Sequence, residues 1–362
     1  MAATLVEELV EEILIRIPPK EPAHLVRAAL VCKAWCRILT DAGFLRRYRR
    51  FHGTPPLLGY IQNLHNRVCF FPTSTASPVS AAALTLKTML DLSSYLAALD
   101  CRHGRVLIHI PHNRDQLIVW DPITGSRQHL SLAPYIHSQS CTGSVLCATK
   151  ACDHLDCGGG PFFVVFVWTW MNDAVDGMNI QASIYWSETS AWSTPTSIDT
   201  NCYIHMTPGL LIGDVLHFTI NIHEGLSILK YDLCKHGLSV IDVPRGAWIP
   251  LVMKGEHREL LQLATLLDNC IYMWSQQDVT NGIHGWVKNK VMDLTPLLPE
   301  LGYHTRTRKV IGFAEGTEII FISTYAGIIT LNLKSRQVRK VCDRKTYTMF
   351  PVLPYMSFCT PR

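Results

Sequence analysis

Five times this chain runs an apolar pair into a bulky residue, a small polar residue, a turn and a second short apolar run. The unit appears at Val119-Trp120-Asp121-Pro122 with the turn Thr124-Gly125, and at Tyr185-Trp186-Ser187-Glu188 followed by 189–192. It recurs at Lys230-Tyr231-Asp232-Leu233 with His236-Gly237, and at Met273-Trp274-Ser275-Gln276 with a longer loop to Gly285-Trp286. Thr330-Leu331-Asn332-Leu333 with Lys334-Ser335 is the fifth. The anchors 120, 186, 231, 274 and 331 step by about 53 residues on average. A repeat of that length is one supersecondary unit that cannot bury its apolar face alone.

Each unit also has an upstream hairpin pattern. The stretch 99–110 turns at His103-Gly104, 210–220 at Gly213-Asp214, 260–274 at Asp268-Asn269, and 310–323 at Glu315-Gly316. In the second unit Val145-Leu146-Cys147-Ala148 leads through a longer loop with Gly158-Gly159-Gly160 into 162–169. Two hairpins make four strands, and four-stranded units at this period are the signature of a β-propeller. A sixth unit can be assembled from both ends of the β region, from 57–62 and 68–71 with 352–358. That closure removes open sheet edges. The spacing therefore predicts six blades, with seven as the alternative. The Ser-, Thr-, Ala- and Pro-rich stretch 72–86 reads as a loop insertion. The blades resemble kelch-like propellers in the aromatic and small polar pair of the third strand, without the double glycine of true kelch blades.

The first fifty residues follow a different period. Leu5, Leu9, Val10, Ile13, Leu14 and Ile17 form one face of a helix over 4–17. Thr4 and Glu7 make a capping box at its start, and Pro18-Pro19 stops it. A second helix from Pro22 carries Leu25, Ala28, Ala29, Cys32, Trp35 and Leu39, and a third covers 44–51. Three short helices make a very small core that borrows burial from a partner. The breaker Gly53-Thr54-Pro55-Pro56 divides the chain into a helical domain, 1–52, and a β domain, 53–362. The fold class expected is α+β multidomain: a small N-terminal three-helix domain followed by an all-β propeller.

The run Leu5-Val6-Glu7-Glu8-Leu9-Val10-Glu11-Glu12-Ile13-Leu14-Ile15-Arg16-Ile17-Pro18, followed by Leu30-Val31-Cys32-Lys33-Ala34-Trp35, resembles an F-box over about residues 4–45. The resemblance implies docking on the Skp-type adaptor of a cullin-RING (SCF) ubiquitin ligase. Carried over position by position, Leu5, Val6, Leu9, Ile13, Ile17, Leu25, Val31, Cys32 and Trp35 become the adaptor-binding or F-box core positions, with Trp35 assigned to the core. Many F-boxes have proline where Val6 stands and arginine where Cys36 stands. Over nearly its full length the chain resembles a large plant (cereal-type) family of F-box proteins with an associated propeller. Its segments 99–107, 152–157 and 310–316 look like recurring family segments. The family implies a substrate adaptor, not an enzyme, whose client-binding residues cannot be named from sequence. An F-box protein acting outside the ligase as a binding module is the second reading, and a propeller enzyme the third.

Composition narrows the partners. With 48% hydrophobic residues the chain is not a disordered one. A net charge of +4 is too mild to imply nucleic acid, and Arg46-Arg47-Tyr48-Arg49-Arg50 reads as a solvated helix face. The longest apolar run, 162–171, is half of what a membrane helix needs, and the acidic start at Glu7 does not suit a secretory signal. No nucleic-acid or membrane partner is expected. Thirteen scattered cysteines without Cys-x-x-Cys, and no Asn-x-Ser/Thr, fit a reducing compartment, cytoplasmic or nuclear. Cys152, His154, Asp156 and Cys157 offer one loose Cys-x₄-Cys pair with no second pair nearby in sequence, so neither a metal nor another cofactor is expected. Gly158-Gly159-Gly160 lacks the Lys-Ser/Thr of a phosphate loop. His103, His109 and His112 share one hairpin and read as polar surface. The series Trp120, Trp186, Tyr231 and Trp274 reads as core or inter-blade packing.

Overall fold

The computed structural model describes residues 6–64, 67–73, 96–111, 116–132, 140–155, 157–172, 177–222, 225–244, 250–255, 260–267, 269–279, 283–297, 308–342 and 350–360. Four helices come first: α1 (Glu7–Leu14), α2 (Pro22–Ala29), α3 (Lys33–Thr40) and α4 (Ala42–His52). The second of the three expected helices is thus two. At Cys32 the backbone is extended, and its sulfur accepts the Trp35 N–H at 3.5 Å, so the chain restarts a helix there without a glycine or proline to announce it. The first helix ends at Leu14, before the prolines. Arg16 N–H and Ile17 N–H bond three residues back, to Ile13 and Leu14, tightening the last turn. Thr4 lies outside the described residues; Val6 stands at the N-cap with no side-chain cap bond. Its φ of −63° is the angle a proline ring would fix, so the backbone here suits either residue. Asp41 caps α4 by accepting from Phe44 N–H at 2.8 Å. Gly53 (φ +67°) turns the chain out of it.

Strands follow to the end. They are β1 (Leu57–Leu64), β2 (Arg67–Pro72), β3 (Ala97–Arg102), β4 (Arg105–Ile110), β5 (Gln116–Trp120), β6 (Arg127–Ser131), β7 (Cys141–Cys147), β8 (Phe162–Asn172) and β9 (Gly177–Trp186). Next come β10 (Ala191–Trp192), β11 (Thr196–Asp199), β12 (Tyr203–Ile204), β13 (Leu210–Ile212), β14 (Val215–Ile222), β15 (Gly225–Asp232) and β16 (Gly237–Asp242). The last are β17 (Leu251–Lys254), β18 (Leu261–Leu267), β19 (Cys270–Val279), β20 (Ile283–Asp293), β21 (Lys309–Ala314), β22 (Ile319–Thr324), β23 (Gly327–Asn332), β24 (Val338–Cys342) and β25 (Val352–Met356).

They form six antiparallel sheets. Blade 1 is β3-β4-β5-β6. Blade 2 is β7-β8-β9 with β10 and β11 both on β9. Blade 3 is β12-β14-β15-β16 with β13 also on β14. Blade 4 is β17-β18-β19-β20, blade 5 is β21-β22-β23-β24, and blade 6 is β25-β1-β2. The arrangement is a six-bladed propeller, so the seven-blade alternative falls away. In blade 6 the last strand pairs with the first, Tyr60 opposite Pro354 and Ile61 opposite Leu353. An apolar cluster fills the space between each blade and the next, all the way round the ring. Asn63 latches the closure: its side chain donates to Ala98 O at 3.0 Å and accepts from Ala98 N–H at 2.8 Å, joining blade 6 to blade 1.

Some details differ from the sequence reading. In blade 4 the stretch 260–274 makes the second hairpin position, β18 with β19; β17 precedes it, a short strand behind Pro250. Gly285 and Trp286 lie inside β20, not at the end of a loop. Trp120 and Tyr231 are buried in inter-blade clusters and Trp274 packs beside one, but Trp186 is 38% exposed and lies tilted against Phe163. His109 lies within β4 and is buried, because β4 is covered on both faces, and its Nδ1 faces Cys141 Sγ at 3.3 Å. His112, Asp268 and most of 72–86 fall outside the described residues. No helix among the described residues is long and apolar enough to cross a membrane, and the run 162–171 is strand β8.

The helical core does borrow burial, and from the same chain. Val10, Leu14, Leu25, Ala28, Ile38, Leu39, Phe44 and Tyr48 pack with Phe358, just past β25, and with Leu155 from the β7–β8 loop. The Tyr48 and Phe358 rings meet edge to face, and Tyr48 donates to Ile17 O at 2.7 Å. Removing a buried phenyl costs about 3–5 kcal/mol. Phe358→Ala should therefore lower the urea midpoint of the helical unit, followed by far-ultraviolet dichroism, while leaving the blades intact. An unchanged midpoint would show that the contact does not stabilise the helices.

Candidate functional site

The helical unit sorts its apolar residues into two sets. Leu25 is 1% exposed and is core; Ile17 and Trp35 are half-buried against that core. Val6, Leu9 and Ile13, at helical spacing on one face of α1, are 57%, 50% and 51% exposed, and Val31 is 63% exposed. Cys32 is exposed, and Leu5 falls outside the described residues. Sequence periodicity put Leu9, Ile13, Val10 and Leu14 on one stripe; the fold turns Val10 and Leu14 inward and leaves the other two out. Leu30, 80% exposed beside Val31, was missed; the α2–α3 break that exposes it carries no sequence breaker. Ion pairs Arg37–Glu7 at 2.8 Å and Arg47–Glu11 bind α3 and α4 to α1. The stripe is held on a helix that Val10 and Leu14 anchor in the core, to which these exposed pairs add little.

A cavity of about 580 Å³ opens between this unit and the propeller axis, lined by Arg49, Gly53 and the inner strands. Arg102 of β3 crosses it. Its Nη2 donates to Gly209 O before β13 at 2.7 Å, and its Nη1 to Glu315 after β21 at 3.1 Å. Its Nε faces Asp100 Oδ2 at 3.5 Å. Asp100 in turn accepts from Val145 N–H of β7 at 3.0 Å. Four blades thus meet on two side chains. Gly209 is required here, because a Cβ would sit 2.4 Å from Phe218 and 2.6 Å from Ser144. Burial pushes the Asp100 carboxyl up to about 6 against the pull of Arg102. Burial also works against charge on Arg102, but Glu315 and Asp100 more than offset it. Burial, with Arg102, His154 and Arg105 nearby, lowers His103 to about 3, so the ring is neutral at pH 7.

One donor cluster departs from the sequence expectation. The loop between β7 and β8 gathers Cys147, Cys152, His154 and Cys157, with ligand atoms all within 4.8 Å of one another. The four positions weighed from sequence included Asp156, which falls outside the described residues, and omitted Cys147. That cysteine ends a strand ten residues before Cys157, and only the fold of the loop brings it back.

Residues 4–47 match the F-box domain. An F-box joined to a propeller is the architecture of a substrate-recognition subunit of an SCF-type ubiquitin ligase. Residues 97–362 match the family described as F-box protein AT5G49610-like, beta-propeller, and the chain belongs to that family of plant F-box/propeller proteins. Such proteins are typically non-catalytic adaptor subunits. None of the curated proteins matches the chain. Among solved structures, a functionally unknown protein from Desulfotomaculum acetoxidans is 13% identical over 78% of each chain, with a TM-score of 0.43. The GH93 alpha-L-arabinofuranosidase of Fusarium graminearum is 10% identical over 71% of this chain and 82% of its own, with a TM-score of 0.41. Pyrococcus horikoshii acylaminoacyl peptidase is 9% identical over 79% of this chain and 52% of its own, with a TM-score of 0.38. Likeness at these values carries no argument about what this chain does.

Arg102→Leu should cost about 3–5 kcal/mol at pH 8, because it strands a buried carboxylate. The sign of the pH dependence follows from Asp100. A carboxyl whose folded pKa is raised contributes stability below its unfolded value and loses it as pH rises through the folded one. Without the cation that pKa climbs further above about 6. The deficit of the variant should therefore shrink on acidification from pH 8 to pH 5. A deficit that stays constant in urea titrations at the two pH values would count against the pairing.

Proposed function

We propose that the exposed stripe Val6, Leu9 and Ile13 of α1, together with Leu30 and Val31, docks on a Skp-type adaptor, which links the chain to a cullin-RING ligase. The single observation that carries this is the exposure of five large apolar side chains on a unit whose own core is already filled. Large apolar side chains left exposed on so small a domain mark an interaction surface. Thirteen free thiols support work in the reducing cytoplasm or nucleus.

The client then takes the other end of the propeller. The linker 53–56, the β7–β8 loop and Phe358 all lie at the end where the inner strands finish, beside the helices. The opposite end carries the turn from β18 to β19 and the turn from β22 to β23. Strand register puts four exposed side chains there. Leu267 and Tyr325 sit at those turns, Tyr203 pairs beside the far end of β14, and Phe350 precedes β25. They come from blades 4, 5, 3 and the entry to blade 6. Amphipathic tyrosines and phenylalanine are the side chains that dominate protein interfaces. The contribution to ubiquitin transfer is proximity: a tethered client meets the conjugating enzyme at a high effective concentration.

Two measurements test this. Leu9→Asp with Ile13→Asp should weaken capture by a purified Skp-type adaptor at least about tenfold, the loss of a modest interface contact. Both sites are solvent-facing, so the melting temperature should hold; undiminished capture would overturn the assignment of the stripe. Tyr325→Ala should leave adaptor capture intact and reduce ubiquitination of a client identified by proximity labelling. Equal client modification by the variant would move the client off this end.

A further inference from the structure

The geometry points to a structural zinc site in the β7–β8 loop, held by the three sulfurs of Cys147, Cys152 and Cys157 and by His154 Nδ1. Three thiolates and one imidazole are a standard donor set for a tetrahedral structural zinc. A zinc with bonds of about 2.3 Å to sulfur keeps its sulfurs about 3.8 Å apart. The four donor atoms already lie within 4.8 Å of one another, so binding needs a contraction of no more than about 1 Å. Cys157 Sγ and His154 Nδ1 stand 3.9 Å apart, close to the separation of two bound ligands.

The loop is shaped for this. Ala151 (φ +52°) and His154 (φ +57°) both occupy the left-handed region, which ordinary side chains rarely adopt. Those two turns fold Cys152 and His154 back over the end of β7. The His154 N–H donates to Cys152 Sγ at 3.4 Å, the kind of backbone bond that orients a ligating sulfur. Across the loop, His103 stacks on the His154 ring at 4.4 Å and fixes its plane.

A second, independent observation is Arg105. It is 4% exposed and donates to Cys157 O at 2.7 Å and to Gly160 O, both within the loop. Its Nη1 has no hydrogen-bond partner, and no described carboxylate forms an ion pair with it. The Asp121 carboxylate attracts it from beyond ion-pair distance, and a buried guanidinium without a close counter-charge is costly. Zinc with three thiolates and a neutral imidazole carries a net charge of −1, which would give Arg105 a close counter-charge. Formation of the site releases the thiol protons to solvent as the metal takes their place. Leu155, between His154 and Cys157, packs on the F-box core, so the metal would set the seat on which the helices rest.

The test uses the full chain, reduced, with zinc and with cobalt as a spectroscopic substitute. One equivalent of zinc should remain after gel filtration, measured by elemental analysis. Cobalt should give thiolate charge-transfer bands and the strong visible absorption of a tetrahedral ion. Cys152→Ser with Cys157→Ser should abolish both, while Cys234→Ser, at an exposed blade 3 turn, should leave them unchanged. If the double variant does not fold, His154→Ala decides. It removes an exposed ring, so dichroism should keep its β signature while zinc affinity falls at least about tenfold. Failure of the folded wild-type chain to bind zinc overturns the proposal, as does equal binding by His154→Ala.

Discussion

Everything in this molecule hangs on β25 lying beside β1. The ring is closed by hydrogen bonds between the last strand of the chain and the first of the propeller, reinforced by the Asn63 latch onto Ala98. Closure does more than remove sheet edges. It brings both ends of the β region to one end of the propeller, the end where the helices sit. The linker 53–56 enters there, and Phe358 leaves there into the helical core. The F-box is therefore gripped from both sides of the sequence. A short helical unit whose small core is completed by Phe358 acquires a defined orientation on a rigid ring.

Inside the ring the same economy of contacts appears as charge. Arg102 and Asp100 join blades that are far apart in sequence, using one guanidinium fork and one carboxylate that accepts a backbone N–H. Further out, indole nitrogens do a similar task. Trp192 Nε1 donates to Ser131 O, from blade 2 to blade 1, and Trp286 Nε1 to Asp242 O, from blade 4 to blade 3. Apolar clusters supply the bulk of the attraction between blades. The polar contacts favour one rotation of each blade against the next, most strongly at Asp100 and Arg102, where a slip would leave buried groups unpaired.

The sequence made the ring legible because repetition is legible. A bulky residue before a turn, met five times and aromatic in four of them, states an architecture even when single strands are ambiguous, and the split sixth blade follows from the need to close it. What stayed hidden was local and had physical reasons. Cys32 restarts a helix through its sulfur, which propensity does not register. β17 is four residues long and follows a proline. His109 is buried because its strand is covered on both faces, which periodicity alone does not reveal. At the candidate docking stripe the residue types were readable, but their division into core and surface depended on where α3 and α4 pack. In the Cys-rich loop the donor that completes the set ends a strand, and only two left-handed residues bring it within reach of the others.

Synthesis proceeds from the N-terminus, and domains tend to fold as units as they emerge. Here the helices emerge first and the strand that closes the ring emerges last. Until Phe358 has left the ribosome, the helical core lacks one of its buried rings, and blade 6 has an unpaired edge. A chain cut short anywhere in the last blade carries the F-box helices without part of their seat. The placement of β25 and Phe358 thus couples the two units: the helical core and the closed ring reach their final geometry together, and only once β25 and Phe358 have been made.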